Sequence, residues 1–186
     1  GVGHLEYAAL KQYSSLPTLD LSEQRFYYTS KPECHSNGCT LDEQGSWYGS
    51  GMESSMEAGA PDIPLEVDCP YNPALGDNDL QTPQRSTCSF GALQVKEIDY
   101  VSGAKEIIDA LHKTKMPVPF ASPLSENWEF NKGLITDADS DRKGDTSHAA
   151  GHAYLIVGYR KLKNMDDECG MCFVIKNSWG TGWGVN

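Results

Sequence analysis

No apolar run in the sequence approaches the roughly 20 residues that a bilayer span requires, so a membrane-spanning helix is excluded from the reading. Cationic side chains are scarce as well. Fifteen Lys and Arg stand against 26 Asp and Glu, a formal charge of -11, and such an excess repels phosphate backbones and anionic lipid. Nucleic acid and membrane surfaces are therefore excluded as partners. No Asn-x-Ser/Thr acceptor occurs, so glycosylation says nothing about location. There is no internal repeat and no low-complexity linker; 186 residues fit one domain or two tightly joined lobes with a real core. The chain opens on "GVGHLEYAALK" without an initiator methionine or a charged-then-apolar leader, and its first residue is expected to lie inside a longer gene product.

What is present begins with cysteine. Cys34, Cys39, Cys69, Cys88, Cys169 and Cys172 sit at uneven spacings in turn-rich sequence, which favours an oxidising compartment and leaves their pairing open. "CGMC" at Cys169 to Cys172 is a lone CxxC, better read as a local disulfide than as a zinc or redox site. His148 and His152 stand four apart in "HAAGH", but Ala149 occupies the place of a metallopeptidase's glutamate, and a strand-like run follows. No metal and no cofactor is expected. "GTGWG" lacks the helix start and acidic partner of a dinucleotide fingerprint.

Periodicity divides the chain. "GVGHLEYAALKQY" reads as an amphipathic helix, a short element covers Leu21 to Tyr28, and a further helix falls around Trp47 to Ala58. Cys69 to Cys88 is turn chemistry almost throughout. "LQVKEIDYV" alternates as a half-buried strand, and "SGAKEIIDALHKTK" places Ala104, Ile107, Ile108 and Leu111 on one helical face behind Ser102 as N-cap. Three short apolar runs, "MPVPFAS", "HAYLIVGY" and "CFVIKNSW", then suggest an antiparallel sheet. The fold class is α+β, helix-rich first and sheet-rich second.

The chemistry gathers at the edges of the last two runs. Taken alone, His152 is an ordinary histidine at the mouth of a strand. Asn177, leaving the next strand and followed by Trp179 and a glycine-rich turn, changes that reading. A neutral amide accepts the imidazole N–H and fixes its tautomer, while an indole excludes water. That is the orienter a thiol–imidazole pair requires.

At these residues the sequence resembles the papain-like cysteine peptidases, which include the lysosomal cathepsins. "GHAYLIVGY" is similar to that family's histidine strand, "IKNSWGTGWG" to its asparagine turn, "LDLSEQ" to the segment after its central helix, and "GVGHLE" to the middle of that helix. "MPVPFAS" and "WEFNKGLI" fall where the family has related stretches, so the resemblance spans nearly the whole chain. It implies a two-lobed fold, residues 1–90 forming a helical lobe and 91–186 an antiparallel β-barrel-like lobe, with a cleft between them. It also implies His152 as general base and acid, Asn177 as orienter and Trp179 as shield. Ala121, Ala150 and Gly151 would line the pocket for the substrate's second side chain, and Gly45 and Ser46 would bind substrate backbone. Serine at 46 replaces a family glycine and puts that contact in doubt. By the same resemblance Cys34 joins Cys88 and Cys39 pairs with a cysteine ahead of Gly1; Cys69 bonds Cys39 instead or stays free. The implied partners are a peptide or protein substrate and a proteinaceous inhibitor or propeptide, in a secreted or lysosome-like setting.

The family's nucleophile segment belongs just ahead of Gly1, and the strands that close its sheet lie past Asn186. Two readings of the missing cysteine stay open. One is the central part of a complete peptidase acting through an acyl-thioester; the other is an inactive papain-like module serving as a binding or structural component of an extracellular assembly.

Overall fold

The computed structural model describes residues 1–15, 18–31, 46–72, 91–123, 133, 135, 151–161 and 171–184. The chain divides into two compact units, Gly1–Tyr100 and Val101–Asn186.

Helix α1 (Val2–Gln12) buries Val2, Leu5 and Ala9, the three- and four-residue spacing that lines one helical face. Helix α2 (Glu23–Thr29) follows, and α3 (Tyr48–Glu57) closes the helical part. Their apolar faces meet in a core of Val2, Leu5, Leu21, Phe26, Met52, Ile63 and Val95. A β-carbon at Gly51 would stand 2.7 Å from the Phe26 ring, so glycine there is what lets α3 approach α2 closely.

Each letter of "LSEQ" has a structural task. Leu21 is fully buried and forms a single antiparallel bridge with Leu65. The Ser22 hydroxyl accepts from the Arg25 N–H at 3.3 Å, capping α2, and donates to the Cys69 carbonyl at 2.7 Å. Glu23 occupies the first turn of the helix, where a negative charge meets the positive end of the dipole. Gln24 exchanges two hydrogen bonds with the backbone of Asn72, at 3.2 and 2.7 Å. The motif thus anchors α2 to the segment around Cys69.

The alternating stretch after Ala92 does not become a strand. Leu93 makes one bridge, to Ile63, while the Val95 N–H donates to the Ser55 hydroxyl at 3.2 Å. A side chain of α3 has taken the place of a neighbouring strand's carbonyl. Through these contacts residues 91–100 pack with the first unit rather than open the second.

In the second unit α4 (Gly103–Thr114) buries Ile107. Ser102 stands at its N-cap without a side-chain bond; its N–H instead donates to the Glu106 carboxylate at 2.7 Å. Ala104, expected on the inner face, is exposed. Strands β1 (Val118–Pro123), β2 (Gly151–Arg160) and β3 (Cys172–Lys176) form an antiparallel sheet in the order β1-β2-β3. Near its C-terminus α4 is tied to β2 by a 2.7 Å hydrogen bond between His112 Nε2 and the Tyr159 hydroxyl. Among the described residues the sheet has three strands, and no helix is long and apolar enough to cross a membrane.

Candidate active site

The site is built on the middle strand. In the β1–β2 register Ser122 stands opposite His152, Ala121 opposite Ala153 and Phe120 opposite Tyr154. Side chains two apart on a strand share a face, so Phe120, Ser122, His152, Tyr154 and Ile156 project on one side of the sheet. Ala121, Gly151 and Ala153 belong to the other. Strand β3 pairs with β2 through Leu155–Lys176 and Ile156–Ile175. Asn177 is the next residue, at the end where His152 lies.

His152 Nε2 stands 2.8 Å from Asn177 Oδ1. The same oxygen accepts the Ser178 N–H at 2.8 Å. A backbone N–H only donates, so the atom facing it is the amide's oxygen, and the imidazole must bring its own proton to the shared acceptor. The neutral ring therefore carries hydrogen on Nε2 and a lone pair on Nδ1. That tautomer is competent to receive a proton from an acid placed at Nδ1.

Aromatic rings bound the pair. The Trp179 and His152 ring centroids are 4.7 Å apart, with planes inclined at 35°, and Trp183 meets Trp179 edge-on at 5.7 Å and 85°. Gly180 and Gly184 adopt φ of +81° and +76°, a region open to glycine, and this turn chemistry holds the two indoles together. Tyr154 lies 6.1 Å from the imidazole centroid. Burial, partly offset by the hydrogen bond with Ser122, pushes its phenol above the ordinary tyrosine range, because water no longer stabilises the phenolate.

Of the residues singled out from sequence, His152, Asn177 and Trp179 are brought together. Ala121 and Gly151 share a sheet face with each other but not with the imidazole. Ser46 is exposed just ahead of α3; Gly45 and Ala150 lie outside the described residues. So do Cys34, Cys39, Cys88, Cys169 and His148, whereas Cys69 and Cys172 are disulfide-bonded. His152 itself is in a strand, a context unlike the helix on which a histidine four residues away would share a metal. Among the described residues no group of three or more His, Cys, Asp or Glu side chains could hold one. The sequence reading did not draw out that alternation along β2 places Tyr154 on the face of His152 and Ala153 on the opposite one; Ser122 comes beside His152 only through the β1–β2 register.

A tautomer-fixed imidazole at the end of the middle strand of an antiparallel sheet, in an α+β chain, has the geometry of a proton acceptor at Nδ1. The profile of the papain family cysteine proteases matches residues 2–186, and the chain belongs to that family. It is 26% identical to a viral cathepsin of Orgyia pseudotsugata multicapsid polyhedrosis virus over 98% of this chain and 48% of the relative. A cysteine proteinase of Trypanosoma brucei brucei is 23% identical over 93% of this chain and 34% of its own length. The chain thus spans about half or less of the curated relatives it matches. Among solved structures, the bromelain protease of Ananas comosus in complex with an inhibitor superposes with a TM-score of 0.62 at 18% identity, covering 97% of this chain and 71% of that one. That likeness supports the papain-like α+β fold.

Proposed function

We propose that the full-length protein is an active cysteine-type peptidase in which His152 is general base and acid and Asn177 is its orienter. The observation that carries this reading is the 2.8 Å contact from His152 Nε2 to Asn177 Oδ1, which leaves Nδ1 as the proton acceptor. The nucleophilic thiol is assigned to the segment preceding Gly1, as the family resemblance implies. His152 takes its proton, and the thiolate attacks the peptide carbonyl. The imidazolium then protonates the departing amine as the acyl-thioester forms; the same ring takes a proton from water, whose oxygen displaces the thiolate and releases the acid.

Trp179 shields the imidazole–amide hydrogen bond from water and thereby strengthens it. Gly45 and Ser46 are assigned to substrate backbone. Ala121, Ala150 and Gly151, with Ala153 added by its register opposite Ala121, are assigned to an apolar pocket for a substrate side chain. Peptides or proteins are the substrates, and a propeptide or proteinaceous inhibitor is the natural regulator. The disulfides at Cys69 and Cys172 support a secreted or lysosome-like setting.

The test is made on the full-length protein with a thiol-directed epoxide and a peptide substrate. Labelling of one cysteine upstream of Gly1 is expected, and His152→Ala should lower turnover by at least about 100-fold with the unfolding midpoint unchanged. A folded wild-type protein that neither labels nor cleaves would instead be an inactive papain-like module. Hydrolysis that survives His152→Ala would remove this residue from the role of base.

A further inference from the structure

The reaction described above uses neither Ser122 nor Tyr154, yet both lie on the sheet face of His152. Ser122 is the direct cross-strand partner of His152. The Tyr154 hydroxyl donates to Ser122 Oγ at 3.2 Å, and its ring is 6.1 Å from the imidazole centroid and 5.8 Å from that of Phe120. A hydrogen bond from Nε2 to Asn177 pins one vertex of the imidazole. It leaves the ring free to pivot about the line of that bond, which moves Nδ1 even though the bond survives. Proton transfer at Nδ1 needs the plane fixed as well, since small angular errors at the reacting atom lower the rate. Trp179 is one aromatic neighbour able to restrict the pivot, and Tyr154 is a second, provided its own ring is held.

We propose that Tyr154, anchored through its hydroxyl to Ser122, is a positioning residue that fixes the plane of the His152 ring. Phe120 buttresses the other end of the arrangement from β1. The strand register makes the device local, since all four residues are cross-strand partners or i, i+2 neighbours.

The catalytic half of the test rests on the proposed function, whereas the spectroscopic half does not. In full-length protein labelled with ¹⁵N-histidine, Tyr154→Phe removes the anchoring hydroxyl and keeps the ring; Ser122→Ala removes the acceptor. Both variants should broaden the His152 Nε2–H resonance through faster exchange with water. Each should lower kcat by about 3- to 10-fold, the worth of one hydrogen bond, with KM unchanged. The double variant should be no worse than either single one. An unchanged Nε2–H resonance in both variants, additive losses in the double variant, or a loss confined to KM would overturn the proposal. If the wild-type protein proves catalytically silent, the proposed function fails and the resonance still decides the role of Tyr154.

Discussion

Asn177 makes its side-chain oxygen serve two donors, His152 Nε2–H and the Ser178 N–H, while its Nδ2 is buried with no hydrogen-bond partner among the described residues. An unsatisfied buried amide N–H costs about 1–3 kcal/mol. Both hydrogen bonds of this side-chain amide among the described residues are thus made through its oxygen. Replacing the amide tests the role of that oxygen directly. Asn177→Ala should leave the fold intact and lower kcat by roughly tenfold, the equivalent of one lost hydrogen bond, in steady-state assays of the full-length protein. Asn177→Asp preserves an acceptor but adds a negative charge beside the ring, which favours imidazolium. The basic limb of its pH–rate profile should move to higher pH; a profile that stays in place would show that the amide does not set the basicity of the ring.

At the scale of the element, α2 shows how a short helix is held. Seven residues cannot sustain a helix on propensity alone, and tertiary ties supply the rest. The Ser22 hydroxyl satisfies both the Arg25 N–H and the Cys69 carbonyl. Arg25, nearly buried, pairs with Asp62 at 3.1 Å and lies over the Tyr28 ring at 5.3 Å. Ser22→Ala should cost about 2 kcal/mol, the loss of a cap together with a buried acceptor; chemical denaturation would measure it. Ser22→Thr, which keeps the hydroxyl, should recover most of that loss. Helices α1, α3 and α4 were legible because their apolar residues recur at helical spacing. The expected strand after Ala92 was not, since nothing in "LQVKEIDYV" announces that its backbone donor at Val95 would meet the Ser55 hydroxyl of another helix. Period marks which face turns inward, but the bonding partner is a matter of what packs alongside.

Over the whole molecule the charge balance of -11 finds local expression at Glu23. Partial dehydration pushes its carboxyl above the ordinary glutamate range, as do the neighbouring charges of Glu66, Glu6 and Asp20, against a backbone hydrogen bond that lowers it. A carboxyl whose folded pKa is raised binds its proton more tightly in the folded chain than in the unfolded one. Its ionised form therefore detracts from stability at neutral pH, and that loss is relieved as pH falls through the raised pKa. Glu23→Gln should raise the unfolding midpoint at pH 7, with the difference from wild type shrinking toward pH 4. Thermal scans of both proteins across that interval would check it, and a variant less stable at pH 7 would show that the helix-dipole and hydrogen-bond contributions outweigh the dehydration and the repulsion.

Taken by itself, the sequence determined most of the local structure and pointed to the side chains proposed as reactive. A short continuous apolar run marked β2, helical spacing marked α1 and α4, and the amide, indole and glycines after Lys176 pointed to an oriented imidazole. Those are consequences of residue chemistry along a few positions of chain. The tertiary structure alone decided which nitrogen of His152 carries the proton, because that depends on Asn177 Oδ1 also receiving the Ser178 N–H. It likewise decided that Ser122 faces His152 and that residues 91–100 join the helical unit. Such facts arise where strand register and packing bring together residues far apart in sequence, and no periodic pattern within either segment specifies its partner.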